Sequence, residues 1–494
     1  MASAASLRLR PPIALASLLL LLGLILAVAR FGPETSLGRQ WIVGELNGLD
    51  LGPVGRLGVE GLTGDPWTHP RLARVTISDK AGVWLDARDV DVRWRPSELG
   101  QRRVRLTSVA ARSVTLLRRP QLAKAGPGGP APVSIKVDRA ATRVEMTPAF
   151  AQRRGVYDLD GSLDLERSGA ASARIAAASL LHRGDRLDLD AAIGRDHRFR
   201  LDGVVREAQG GALAGALGLA ADQPFLVTAH AAGSSAAGSI SLDTRLGQTR
   251  PFVVDGNWNG SSGQGHADID LGASTLLAGY RGMLGPAVHL EASGKATRGG
   301  LSAIQLTGVA ENARLSARGA ANIAAMAIGP QGLAIQAQMP AANRLLGFPT
   351  MGALAVVGRL NGDRQHWVFT GAADVNDVSE GPYRLARLRG PVRVETQGSS
   401  LVISGQPVGE GGAGRGLLAA LLGSRPSLAG EVTRLADGRW LLRKLALTGP
   451  GIAVNGQGSV GILGDLAFTG KARFANLAMA HRGASGIVTA DWTA

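Results

Sequence analysis

Over most of its length the chain alternates apolar and polar side chains with a period of two. Between Asp158 and Glu166, Leu159, Leu163 and Leu165 fall on one side while Asp158, Asp160, Ser162, Asp164 and Glu166 fall on the other. Leu187, Leu189, Ala191 and Ile193 stand opposite Asp188 and Asp190, and Phe199, Leu201, Gly203 and Val205 opposite Arg198, Arg200, Asp202 and Arg206. Ala267, Ile269 and Leu271 oppose His266, Asp268 and Asp270, and Leu354, Val356, Gly358 and Leu360 continue the series. Each such run predicts a half-buried strand. Turn signals at Arg183-Gly184-Asp185, Asn259-Gly260, Asn361-Gly362-Asp363 and Ala436-Asp437-Gly438 separate the runs, and short turns join antiparallel neighbours. Without crossover helices a parallel sheet is not expected.

The fold class this predicts is mainly β: an N-terminal transmembrane helix followed by an elongated antiparallel sheet with a few short helices. About thirty strands at ~4.8 Å would run roughly 150 Å, beyond the strand number at which an open sheet stays compact. Such a sheet must close, split or curl into a trough. Its apolar residues are mostly Ala, Val, Leu and Ile among many Gly, a face too thin to fill itself at core density. Two outcomes stay open. One is a hollow groove lined by Leu159, Leu163, Leu165, Leu187, Leu189, Ile193, Ile269, Leu271, Leu354 and Val356; the other is two halves packed as a sandwich with no groove.

The N-terminus carries a different signal. Ile13 to Ala29 is an uninterrupted apolar or small run containing Leu18, Leu19, Leu20, Leu21, Leu22, Leu24, Ile25, Leu26 and Val28, preceded by Arg8 and Arg10. At 1.5 Å per residue it spans about 26 Å, close to a ~30 Å hydrocarbon core. The preceding arginines place the N-terminus in the cytoplasm and send the remainder across. The run is read as an uncleaved signal anchor, with cleavage after Ala27-Val28-Ala29 as the alternative. Thr35 and Ser36 then cap a short helix over Leu37 to Leu46, ending at Asn47-Gly48. Further short helices are expected near Pro340 to Leu346 and Gly416 to Leu422. The resulting division is an anchor (1–30), a helix plus β region (31–125), a Gly/Pro linker (126–132), a β array (133–339) and a second β array with helical insertions (340–494).

Composition fits this picture. Among 494 residues, 69 Gly and 23 Pro exclude a coiled coil or helix bundle, and an apolar fraction of 45% excludes wholesale disorder. The net charge of +15 invites a nucleic-acid reading, but only six basic residues are Lys, and an Arg excess beside abundant Ala and Gly fits coding bias. The densest run, Arg102, Arg103, Arg105, Arg112, Arg118, Arg119 and Lys124, has no acidic residue between Glu98 and Asp138 and no aromatics for base stacking. It reads as a solvated face, or else as a contact for anionic lipid or a partner; no nucleic-acid partner is expected. Cysteine is absent, which removes disulfides, thiolate metal sites and Cys nucleophiles.

No catalytic, metal or cofactor constellation is read from the sequence. Gly409-Glu-Gly411-Gly-Ala-Gly414 matches G-x-G-x-x-G, but the following helix is too short for a crossover and Pro426 breaks it; a hinge delivering an apolar helix onto the groove is the reading preferred. The eight histidines are scattered singly, with no His-x-x-x-His pair. Asp158, Asp160 and Asp164 lack the Gly-bearing loop of calcium repeats and read as a solvated face. Asn259-Gly-Ser261 is a hairpin turn before it is a glycosylation sequon.

Several short segments resemble one known family. Gly61-Leu-Thr-Gly64, Val75-Thr-Ile-Ser-Asp79, Gly82-Val-Trp84-Leu85, Val90-Asp-Val-Arg-Trp94-Arg-Pro96 and Val114 to Pro120, after a signal anchor, resemble the opening of the TamB family, the inner-membrane subunit of the translocation and assembly module. Leu388-Arg-Gly-Pro-Val392, Gly409 to Gly414 with its apolar helix, Asp437-Gly-Arg-Trp440 to Gly449, and Gly456-Gln-Gly458 resemble the family's middle region. The resemblance implies a periplasmic AsmA-like, bridge-like lipid-transfer trough anchored in the bacterial inner membrane. It also implies phospholipid as cargo, an outer-membrane barrel partner, TamA, and a part in outer-membrane protein and autotransporter assembly. The family's C-terminal domain, which engages the barrel, has no counterpart here, so the chain is expected to be a fragment or truncated product. Two other functions stay open: a chaperone-like scaffold lending strand edges to client proteins, and a secreted β-repeat adhesin or glycan-binding protein.

Overall fold

The computed structural model describes residues 35–51, 54–121, 133–323, 325–343, 350–461, 465–475 and 485–493. The anchor run Ile13 to Ala29 and the Gly126–Pro132 linker lie outside them. Among the described residues no helix is long and apolar enough to cross a membrane. The chain forms two compact units, Met1–Arg250 and Pro251–Ala494.

The first unit opens with helix α1 (Ser36–Leu46), whose N-cap Thr35 accepts a hydrogen bond from the Gly38 amide at 3.1 Å. Eleven strands follow: β1 (Arg56–Asp65), β2 (His69–Asp79), β3 (Gly82–Arg95), β4 (Arg103–Leu116), β5 (Ser134–Met146), β6 (Gly155–Leu165), β7 (Ala171–Ser179), β8 (Arg186–Ile193), β9 (Phe199–Glu207), β10 (Phe225–Gly233) and β11 (Ala237–Leu246). Each pairs with its sequence neighbour, antiparallel at every step but one. The exception corrects the expectation of a wholly antiparallel sheet: β4 and β5 run parallel, from Arg103 beside Ser134 to Leu116 beside Met146. The residues between them, 117 to 133, are enough to recross the length of the strand, which a parallel step requires.

The second unit comprises β12 (Phe252–Asn259), β13 (Ser262–Asp270), β14 (Ala287–Ala296), β15 (Ser302–Ala310), β16 (Arg314–Asn322), β17 (Ala327–Met339), β18 (Leu354–Gly362), β19 (Trp367–Glu380), β20 (Tyr383–Gln397), β21 (Ser400–Gly405), β22 (Val408–Gly414), β23 (Ser427–Arg434), β24 (Trp440–Thr448), β25 (Ile452–Val460), β26 (Leu466–Phe474) and β27 (Val488–Thr493). All described pairings here are antiparallel. The long β20 serves two partners along one edge, β21 beside Val392–Gln397 and β22 beside Tyr383–Arg389. Gly409 to Gly414 is therefore a paired strand and not a hinge or a phosphate loop. The apolar helix after it is present, at Leu417–Leu422.

One three-strand device occurs in both units. In the first, Arg71-Leu-Ala-Arg74 of β2 lies between Glu60-Gly-Leu-Thr63 of β1 and Arg88-Asp-Val-Asp91 of β3. In the second, Arg384-Leu-Ala-Arg387 of β20 lies between Asn376-Asp-Val-Ser379 of β19 and Glu410-Gly-Gly-Ala413 of β22. At both places the residues flanking the central Ala have left-handed backbones: φ is 67° at Gly61, 50° at Asp89, 54° at Asp377 and 68° at Gly411. The paired departures shift the side-chain phase of neighbouring strands together, so that Val59 and Leu62, or Ala87 and Val90, three residues apart, are all buried. The arginines tie the strands across the kink: Arg74 meets Asp86 at 2.9 Å, and Arg387 chelates Asp374.

A side chain at Gly411 would put a Cβ 2.9 Å from that of Ala386, and at Gly61 2.6 Å from that of Ala73. Gly411→Val should therefore lower unfolding free energy by about 1–3 kcal/mol, from left-handed strain plus the clash, read by chemical denaturation. Asp377→Gly, on the opposite flank of the same kink, should cost less than half as much.

Candidate functional site

The strand register assembles the period-two residues into one apolar face in each unit. In the first, Leu159 of β6 lies beside Ala177 of β7, which lies beside Leu187 of β8, then Val205 and Val227. The next row runs Ile175, Leu189, Gly203 and Ala229; another runs Leu163, Ala173, Ala191, Leu201 and Ala231; a fourth runs Leu165, Ala171, Ile193 and Phe199. The six predicted lining residues of this unit thus share one surface. On this face β7 presents Ala171, Ala173 and Ala177 with a single larger side chain, Ile175.

In the second unit Ile269 abuts Val288, while Leu354 and Val356 adjoin Val375 and Ala373. Ile269 and the β18 pair are separated by four strands. The face between them is supplied by residues outside the predicted set, among them Leu290, Leu306, Leu315 and Ile335. Their strands are interrupted by Gly and Ala, which weakens the alternation that would have marked them. Trp492 lies across Gly456 and Gly470 of adjoining strands, so an aromatic ring occupies space that the glycines leave free.

Burial separates these residues from an ordinary core. Eight of the ten predicted lining residues are half-buried, Leu271 is sealed at 5% exposure and Ile193 is open at 38%. A face covered by a second packed layer would leave most of them under a tenth exposed.

The opposite face is polar and cross-paired. Arg139 meets Asp160 at 2.8 Å, Lys136 meets Asp164 at 3.4 Å and Arg174 meets Asp190 at 2.8 Å. Asp202 binds Arg200 and His230, and the Arg200 hydrogen bond is the main cause that holds its carboxyl below the usual range. The dense basic run is likewise engaged rather than merely solvated: Arg105 pairs with Asp138 and Glu98, and Arg118 with Asp79. Arg119 donates to the carbonyls of Phe150 and Gly215 at 2.8 and 2.6 Å. These partners come from distant positions in sequence, which is why the run looks unpaired there. Among the described residues, His69, His230, His266, His289 and His366 face carboxylates, as with His289 between Asp268 (2.5 Å) and Glu291 (3.2 Å). Among the described residues no group of His, Asp or Glu could hold a metal ion. Asn259 closes its hairpin through its own side chain, which accepts from the Ser262 amide at 3.0 Å.

Helices gather at one end of each unit's strands. From β5 onward successive strands reverse direction, so α2 (Pro148–Ala151) after β5 and α3 (Ala212–Ala216) after β9 leave the first unit's sheet at the same end. They fold onto its apolar face, where Ala151, Tyr157 and Ala212 form a buried cluster with Met146, Phe150, Ala177 and Leu213 against it. Glu207, fully buried, fixes α3: its carboxylate accepts from the amides of Leu213 and Ala214 at 2.9 and 2.8 Å and from the Tyr157 hydroxyl at 2.7 Å. Burial first, and then the Glu207 bond, push the Tyr157 hydroxyl far above its ordinary pKa. In the second unit α4 (Ala278–Leu284) follows β13, a helical turn at Ala342 follows β17, and α5 (Leu417–Leu422) follows β22, which points the same way as those strands. Helix starts at Pro148, Ala212, Ala278 and Ala342 are spaced by 64, 66 and 64 residues, four strands each time. Their Ala-, Gly- and Leu-rich sequences are too plain for this recurrence to stand out in the sequence.

Comparison with protein-family models, with curated proteins and with solved structures returns no match.

Tyr157→Phe leaves a buried carboxylate short of one donor and should cost about 1–3 kcal/mol of unfolding free energy, measured by denaturant titration. Asp268, first, and Glu291 raise the pKa of His289 above 6.5. A raised folded-state pKa gives a contribution that is complete below the unfolded value and is lost as pH rises through the folded one. The melting temperature of the wild type should accordingly fall as pH climbs above about 6.5, and His289→Gln should flatten that part of the profile.

Proposed function

We propose that the chain is a membrane-anchored carrier whose apolar sheet face conducts lipid acyl chains between the inner and outer membranes, as its resemblance to the TamB family implies. The observation that carries this reading is that eight of the ten predicted lining residues of a registered apolar face are half-buried, in rows not broken by charge. Such a face lowers the cost of taking acyl chains through water, about 0.8 kcal/mol per CH₂, and requires no covalent chemistry. The apolar run Ile13 to Ala29 supplies the anchor and sets the strands on the periplasmic side. TamA and the assembly of outer-membrane proteins enter through the same resemblance.

The strand-lending alternative is disfavoured at β1. There the Asn47 side chain accepts from the Val59 amide at 2.6 Å and donates to its carbonyl at 3.1 Å, and Leu49 and Gly48 bond Leu57, so the edge is already occupied.

Photo-crosslinkers at Leu163, Leu189 and Ile269 in the anchored chain should capture phospholipid, and capture of protein alone at all three would sink the proposal. Leu189→Asp should reduce lipid passage at least tenfold, since a charge there would have to be desolvated, while leaving export and the circular-dichroism spectrum unchanged.

A further inference from the structure

The two ends of the second unit's strands differ. At one end the connections are short polar hairpins, such as Asn259–Ser262 and Asp363–His366. At the other, longer excursions over 271–286, 340–353 and 415–426 carry, among the described residues, α4, the turn at Ala342 and α5. None of the three contains an Asp or Glu in a chain that has 39 of them, yet each contains arginine: Arg281, Arg344, and Arg415 with Arg425. Arg281, Arg415 and Arg425 are exposed and make no ion pair among the described residues, unlike most arginines of the polar face. Beside them, large apolar side chains stand in water: Tyr280 is 56% exposed, Leu276 53% and Leu417 51%. Leu421, on the same helix as Leu417, is buried, and its carbonyl accepts from the Gly451 amide at 2.9 Å. The helix is thus held to the sheet by one side while the other stays open.

An unpaired guanidinium beside exposed leucine or tyrosine, next to an apolar sheet face, matches a ligand with a phosphate at one end and hydrocarbon at the other. We propose that α4 and α5 are headgroup stations for anionic glycerophospholipids. Arg281 at one station, and Arg415 with Arg425 at the other, bind the phosphate, and the acyl chains pass onto the apolar face. The proposal deepens the conduit reading and rests on it. The two stations stand eight strands apart, about 38 Å at ~4.8 Å per strand, against ~15 Å for one leaflet of a ~30 Å hydrocarbon core. The acyl chains of a lipid seated at one station therefore end before the next begins.

The test uses the full chain with photo-crosslinkers at Leu276 or Leu417 (rim) and at Ile269 (inner face), incubated with vesicles of ³²P-labelled phosphatidylglycerol or phosphatidylcholine. Rim positions should capture labelled phosphatidylglycerol in preference to phosphatidylcholine. The triple variant R281S/R415S/R425S should cut rim capture about tenfold while changing capture at Ile269 less than twofold, and the Lys triple variant should restore most of it. Excess inorganic phosphate should not compete, because it lacks the apolar half of the ligand. Labelled lipid at Ile269 with none at the rim would overturn the stations and leave the conduit standing. Equal rim capture by wild type and the Ser triple variant, displacement by inorganic phosphate, or rim crosslinks only to a second copy of the chain would also overturn them. No lipid at any position would remove the conduit and the stations together.

Discussion

Everything in this fold depends on the hydrogen-bond ladder holding adjacent strands in fixed register. Side chains alternate faces, so a slip of one residue would carry every leucine of a strand to the charged side and every aspartate to the apolar one. Each correct pairing constrains the next, and the apolar surface exists only because the constraint is carried from strand to strand. The kinks at Gly61 and Gly411 respect it in an economical way. Neighbouring strands change phase at the same level, so the apolar residues resume on the same side beyond the break.

Half-buried leucines leave part of this face in water, and full burial is reached only in places, among them Leu333, Phe369 and Val375 on the sheet and the cluster under the helices of the first unit. Tyr157, Ala151 and Ala212 are enclosed where α2 and α3 fold back, and Glu207 and Arg119 supply polar ties that hold those helices in place. The ion pairs of the other face each contribute little, given their exposure. Their more important effect is on solubility and register: an arginine opposite an aspartate is tolerated where two arginines would repel.

Much of the fold was legible in the sequence because period-two patterning is a direct imprint of the strand. The alternation around Leu159, Leu187 and Leu354, the hairpin at Asn259 and the helices at Ser36 and Leu417 all fall where the sequence puts them. What was not legible depends on partners distant in the chain. Nothing in the basic run shows that Arg119 binds carbonyls of two helices, one almost a hundred positions away. Gly409 to Gly414 looks like a loop because its glycines serve a kink whose other half is Asp377. The parallel step between β4 and β5 is hidden for a similar reason, since a Gly/Pro connection has the same composition whether it turns back at once or recrosses a strand.

That parallel step has a topological consequence. In a strictly alternating meander the direction of any strand is set by whether its ordinal number is odd or even. A single parallel pairing inverts the rule for all strands that follow it in the same sheet. The odd strands after the step, β5 and β9, therefore run opposite to β1 and β3, and α2 and α3 emerge at the end where β1 and β3 begin. Replacing the recrossing connection by a tight hairpin would preserve every later turn and every later residue, yet deliver both helices to the opposite end. The connection between β4 and β5 thus acts as a parity switch for the decorations of the face.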